Sequence, residues 1–392
     1  MKKVLVRAPL LTSSGYGVHS RQVFSWLLAE SKKLNFQLDV ECLKWGMCSW
    51  LIDKDKENGL VGEIMSRSKP LEKEYDVTFQ IQLPDEWKPE LGKYNVGITA
   101  AVETDKCNPK WVDACNKMDE VVVPSTFTKN VLKRSGILKT DIKVIPEWYN
   151  TEIDKSNDRL SLSLSTKFNF LMVGMLTGGT KETDRKNIVA TLEYLCEKFK
   201  DNKDVGIVIK TSMGKNSSFD KKRTKEYFNQ LVKLCRKGRS YPKINLLYGD
   251  MTKKEMSELH KSDDLHCYVS LTRAEGYGLP IIDAAACGMP IIATNYSGHL
   301  EFLKGQKFLP VDYKLINIDK TRIDNRIFME NTRWAEPDKN SFFTKLDELY
   351  NNYNLHKQNA VETQEYIQNN FNEDSIIEVY NNQFGELLND DA

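Results

Sequence analysis

The stretch LTRAEGYGLPIIDAAACGMPIIATNYSGHLEFL, residues 271–303, packs many changes of local structure into a short span. It reads as a strand end, a loop, a buried helix, a tight turn, a strand, a glycine loop and the start of a further helix. Pro280 suits the first turn of the first of these helices, because that position needs no backbone N–H donor. The small run Ala284-Ala285-Ala286-Cys287-Gly288 lets the same helix lie close against a sheet. Glu275 stands just ahead of Gly276, Tyr277 and Gly278, and Asp283 lies one turn inside the helix, on the same approach. Two carboxylates are thus expected to face one opening. There they can accept hydrogen bonds from the hydroxyls of a neutral, polyhydroxylated ligand.

Outward from this stretch, short β-branched runs alternate with amphipathic helical segments, the pattern of parallel sheets built from βαβ units. In the second half the expected strands are Phe168 to Val173, Val205 to Ile209, Ile244 to Leu247, Leu265 to Ser270 and Pro290 to Ala293, with helices from Asn187, Thr224 and Lys253. In the first half they are Val4 to Val6, Val77 to Ile81, Asn95 to Ala100, Glu120 to Val123 and Ile142 to Ile145. A helix follows from Val18, and another is capped by Ser125 or Thr126. The polar, serine-rich residues 150–166 separate the halves. A chain of 392 residues exceeds one ordinary core. The reading is therefore α/β, with a first Rossmann-like domain over 1–160, a second over 161–373, a cleft between them, and a last helix over 374–392 that packs back on the first.

Composition narrows the function. Lys and Arg number 56 against 55 Asp and Glu, so no overall positive charge draws the chain to nucleic acid. The basic runs Lys221 to Lys225 and Lys233 to Arg239 read as solvated helix faces. Eight scattered cysteines show neither a C-x-x-C pair nor a spacing suited to zinc, and read as reduced thiols. Arg7 interrupts the N-terminal apolar run, which favours a first strand over a signal peptide. No stretch has the length of a spanning helix. A cytoplasmic protein with at most peripheral membrane contact is expected.

The series Glu275-Gly276-Tyr277-Gly278-Leu279-Pro280, Asp283, Gly288-Met289-Pro290 and Ser297-Gly298 resembles the donor-binding signature of family four of the retaining glycosyltransferases, of the two-Rossmann-domain GT-B type. The likeness extends through Asp119 to Phe127, Ile145-Pro146, Phe308 to Ile316 and Trp334 to Asp338, and is weakest between residues 42 and 75. The resemblance implies transfer of a sugar from a nucleotide-diphosphate sugar to a hydroxyl acceptor, glycan or lipid-linked, with retention of anomeric configuration and without metal or cofactor. It implies that Glu275 contacts the donor sugar and that Asp283, an Asp where Glu is more usual, binds the ribose. Ser297, Gly298 and His299 would offer amides to the diphosphate. Arg185 and Lys186 match the pair that grips the pyrophosphate, since Met175 occupies the place after Gly174 where some relatives carry arginine. Variants of Glu275, or of Arg185 with Lys186, are expected to lose transfer while folding normally.

Weaker signals complete the reading. Lys210 ends a strand and is a candidate for donor contact. Gly15-Tyr16-Gly17 links the first strand to the first helix, where glycines let backbone approach a phosphate or sugar. Glu103, in the segment 101–105, is a candidate for the acceptor or reacting face. His19 reads as a helix-face residue and His266 as core. The alternatives are a non-catalytic nucleotide-sugar binder on the same fold, and a transferase acting on modified nucleic-acid bases, which the neutral charge disfavours.

Overall fold

Strand formation follows the β-branched runs, and a computed structural model describes residues 1–72, 74–100, 103–176 and 180–389. The chain forms two compact units. The first comprises Met1–Trp148, Asn325–Met329 and Glu373–Ala392, and the second Tyr149–Asp324 and Glu330–Asn372.

The first unit runs β1 (Lys3–Ala8), α1 (Gly15–Leu34), β2 (Gln37–Cys42), α2 (Leu60–Arg67), β3 (Tyr75–Ile81), β4 (Gly92–Ile98), α3 (Pro109–Cys115), β5 (Glu120–Val123), α4 (Thr126–Ser135) and β6 (Ile142–Val144). Its six strands are parallel, in the order β2-β1-β3-β4-β5-β6. The sequence reading named neither β2 nor α2, and α2 lies in the stretch 42–75 where the resemblance was weakest. α1 begins at Gly15, not at Val18, because the Ser14 hydroxyl accepts from the Gly17 amide and caps the helix three residues earlier. Ser125 caps α4 through the Thr128 amide.

The second unit continues with α5 (Glu152–Lys155), β7 (Phe168–Val173), α6 (Ile188–Lys198), β8 (Val205–Thr211), α7 (Ser218–Arg236), β9 (Lys243–Tyr248), α8 (Lys253–His260), β10 (Cys267–Ser270), α9 (Leu279–Ala286), β11 (Ile291–Thr294), α10 (Leu300–Leu303), β12 (Leu309–Val311), the antiparallel hairpin β13 (Tyr313–Asn317) and β14 (Arg333–Pro337), α11 (Lys339–Asn351) and α12 (Tyr353–Asn370). Its parallel sheet has the order β12-β11-β10-β7-β8-β9. Read from the other edge, that is the 3-2-1-4-5-6 order of a dinucleotide-binding fold.

Two boundaries differ from the sequence reading. The second unit opens at Tyr149, not at 161. The serine-rich connection is bonded into it: the Asn150 side-chain amide donates to the Lys253 carbonyl at 2.6 Å, and the Leu160 amide to the Glu258 carbonyl at 3.0 Å. Residues 325–329 return to the first unit, where the Arg326 guanidinium is 2.8 Å from Asp85 and 2.6 Å from Glu86 and Phe328 is buried. The final helix α13 (Glu373–Leu388) belongs to the first unit, with Tyr380 stacked on Trp26 at 4.7 Å. No helix among the described residues is long and apolar enough to cross a membrane.

Candidate active site

In an open parallel sheet, the loops that leave two neighbouring strands in opposite directions part at the switch point of the strand order and leave a crevice beyond the carboxyl ends. In the second unit the switch lies between β7 and β10. The loop after β7 carries Arg185 and Lys186, and the loop after β10 carries Glu275.

These three side chains meet. The Lys186 ammonium donates to both Glu275 oxygens, at 2.7 and 2.8 Å, and Arg185 Nη1 lies 3.3 Å from Oε2. The Thr272 hydroxyl donates to Oε1 at 2.8 Å. Glu275 is 8% exposed. Burial alone would raise its pKa, but the adjacent Lys186 and Arg185 outweigh it and hold the carboxyl at about 2. Burial draws the Lys186 ammonium below its ordinary value, Glu275 opposing and Arg185 adding to the effect. The result is a fixed carboxylate against two cations, on the wall of a small cavity that Tyr268, Gly278 and Ile281 also line.

The second carboxylate of the stretch is Asp283. On α9 its Oδ1 accepts from the Asn150 amide at 2.8 Å. Burial raises this carboxyl to about 7, while the Asn150 amide and Lys253 pull the other way. Both carboxylates nevertheless act on the buried Tyr268, whose pKa is raised first by burial and then by Glu275 and Asp283.

In the second glycine turn the Gly298 amide is already engaged. The Gly298 amide donates to the Glu275 carbonyl at 2.9 Å, and the Ser297 hydroxyl accepts from the Glu275 amide at 2.9 Å. Gly298 is thus engaged in clamping the Glu275 loop. The His299 ring is buried and its Nε2 bonds the Thr294 carbonyl at 2.7 Å. The helix that follows has only four residues, too short for a developed dipole. Tyr277 is core, packed edge-on against Phe302 at 5.2 Å. Gly276 and Gly278 form the turn, and Leu279 opens α9 with Pro280 in its first turn. Lys210, at the end of β8, donates to the Gly249 carbonyl at 2.8 Å.

Thr272 and Arg273 went unnoticed in the sequence, although they stand three and two places before Glu275. Arg273 is 3% exposed, donates to the carbonyls of Lys181 and Asp184 at 2.8 and 2.9 Å, and pairs with Glu336 of the hairpin at 2.7 Å. Its guanidinium lies 5.0 Å from the Trp334 ring. It thereby ties the loop that presents Arg185 and Lys186 to the hairpin. Removing one partner of such a buried pair leaves an uncompensated charge, so Arg273→Ala is expected to lower stability by about 3–5 kcal/mol. A urea midpoint unchanged from the parent would contradict this.

In the first unit the switch lies between β1 and β3, and the first turn of α1 follows the loop after β1. A Cβ on Gly17 would sit 2.1 Å from the Thr12 carbonyl oxygen, so glycine there permits a close approach of helix and loop, whereas one on Gly15 would meet nothing within 4 Å. The Tyr16 hydroxyl bonds Thr99 at 2.9 Å and the Ala100 amide at 3.1 Å, and its ring stacks on Trp45 at 4.0 Å. His19 is 2% exposed, and burial lowers its pKa to about 4. His266 is only partly buried and stacks on Phe168 ahead of β10. Glu103 is half-buried, while Ala101 and Val102 of its segment lie outside the described residues.

Residues 224–312 match the family model described as Glycosyl transferases group 1. A probable sucrose-phosphate synthase of Thermosipho melanesiensis is 24% identical over 173 residues. That match covers 44% of this chain, and the chain spans only 36% of that relative's length. The whole chain superposes on a sucrose-phosphate synthase of Thermosynechococcus elongatus with a TM-score of 0.64, 13% identity and 99% coverage of both. It superposes on Anabaena HepE, solved with UDP and glucose, with a TM-score of 0.57, 12% identity and 99% coverage of both. Residues 224–312 of the second unit are thus similar to the Glycosyl transferases group 1 family, on a chain with the two-sheet α/β fold of the GT-B glycosyltransferases.

Proposed function

We propose that the chain is a metal-independent glycosyltransferase that moves a sugar from a nucleoside diphosphate sugar to a hydroxyl acceptor with retention of configuration. The observation that carries the reading is the ionised Glu275 held against Lys186 and Arg185 at the switch point of the second sheet. A carboxylate suits the hydroxyls of a sugar, and two cations suit a leaving diphosphate. The acceptor oxygen attacks the anomeric carbon on the face from which the diphosphate leaves, and the departing phosphate oxygen takes the acceptor proton. The protein supplies orientation and charge stabilisation. HepE, solved with UDP, makes uridine diphosphate sugars the first donors to test.

A panel of nucleotide sugars, read by thermal unfolding and by nucleotide release, tests this. A donor at a hundred times its Kd stabilises by about 2.7 kcal/mol. If no member of the panel stabilises the chain or is turned over, the reading fails. A product of inverted configuration, or turnover abolished by EDTA and restored by magnesium, removes the corresponding part of it.

Asp283 adds a pH test. If its carboxylate accepts from ribose hydroxyls, donor affinity rises with pH as the group ionises around 7, roughly tenfold between pH 6 and 8. Asp283→Asn is expected to bind more weakly and to flatten that dependence. A wild-type profile in the variant excludes the role.

A further inference from the structure

The chain's neutral balance conceals a strong local excess. Between Lys215 and Lys243 stand ten Lys and Arg against two acids, a balance of +8, whereas the whole chain carries +1 and the remainder therefore sums to −7. The excess centres on α7, whose Thr224, Phe228, Leu231 and Cys235 are buried toward the unit's core. At 100° per residue the opposite face holds Lys222, Arg223 and Lys233. All three are exposed, and the salt bridge that Lys237 makes with Glu193 is long, at 3.7 Å.

Two large apolar side chains accompany these cations, Phe219 on the outer face and Leu234 on its flank. Phe219, in the first turn, is 65% exposed, and Leu234, near the end, is 73% exposed. They stand about 22 Å apart along the axis at 1.5 Å per residue. Arg223 lies 5.6 Å from the Phe219 ring, and neither Phe219 nor Leu234 is drawn into the unit's core.

We propose that this face of α7 binds an anionic lipid surface, with the lysines and arginines against the headgroups and Phe219 and Leu234 entering the interface. Charge complementarity selects an anionic partner. The exposed Phe219 and Leu234 select a bilayer over a nucleic acid, since a phosphate backbone offers no apolar phase to receive them. The surface is independent of the transferase reading, and its test reads binding, not turnover.

The full chain is sedimented with vesicles of phosphatidylcholine alone and with one quarter phosphatidylglycerol, at low and physiological salt. Binding is expected to the anionic vesicles only and to weaken with salt. Each of Lys222→Gln, Arg223→Gln and Lys233→Gln is expected to lower the partition about fivefold. Phe219→Ser with Leu234→Ser is expected to lower it at least as much without altering circular dichroism. The proposal is overturned if the anionic vesicles do not retain the chain, if the variants bind as the parent does, or if oligonucleotides retain it and vesicles do not.

Discussion

Glu275→Gln is expected to lower kcat/KM for the donor by on the order of 10²–10³, the usual consequence of removing one fixed polar contact from a reacting centre. The amide keeps the shape of the carboxylate but not its charge, and leaves Lys186 and Arg185 facing each other without an anion between them. Glu275→Ala is a poorer test. The sequence reading had such variants folding normally, whereas the structure shows a carboxylate 8% exposed that balances two cations. Either change leaves the two cations uncompensated and should lower stability by about 3–5 kcal/mol, and Ala also opens a void where the side chain stood. Activity measured on the Gln variant, beside its unfolding midpoint, separates the two effects. Turnover equal to the parent's would remove Glu275 from the mechanism.

The low pKa of Glu275 makes the same variant informative in acid. The folded value of about 2 lies below the ordinary 4.5, so the ion pairs stabilise the native state above pH 4.5 and that contribution is lost as pH falls toward 2. Glu275→Gln lacks this titration. Its stability should therefore fall less steeply than the parent's across that window, and parallel curves would contradict the assigned pairing.

Gly298→Ala is expected to be more damaging than its single methyl suggests. A Cβ there would lie 2.0 Å from the Gly276 carbonyl oxygen and 2.7 Å from that of Glu275, both backbone atoms that cannot swing aside. The strand-end loop must shift to admit it, breaking the hydrogen bond from the Gly298 N–H to the Glu275 carbonyl and displacing Glu275 from Lys186. Loss of donor-induced thermal stabilisation is expected, with a fall in kcat/KM on the order of 10², as a misplacement of about 1 Å produces. Glu275→Gln and Gly298→Ala act on one loop, so the double variant should lose less than the product of the two single effects. A Gly298→Ala protein with parental affinity and rate would show that the turn does not position Glu275.

The local alphabet was enough for the alternation of strands and helices, the small-residue helix Leu279–Ala286 and the special standing of Glu275, Arg185 and Lys186. The alternation and the helix depend on periodicity, capping and spacing, which neighbouring residues carry among themselves, whereas the standing of Glu275, Arg185 and Lys186 came from the resemblance of their motif to a known family. It was not enough for the distances that make a site. Arg185 and Glu275 are 90 positions apart, and they meet only because β7 and β10 pair in parallel at the switch of strand order. The engagement of Gly298 by the Glu275 carbonyl and the turning of Asp283 toward Asn150 were likewise invisible, since a hydrogen bond between distant segments leaves no period in either one. Arg273 shows the same division: a single arginine in a loop carries no pattern, and only the convergence of two carbonyl-bearing residues with Glu336 around its guanidinium makes it a brace.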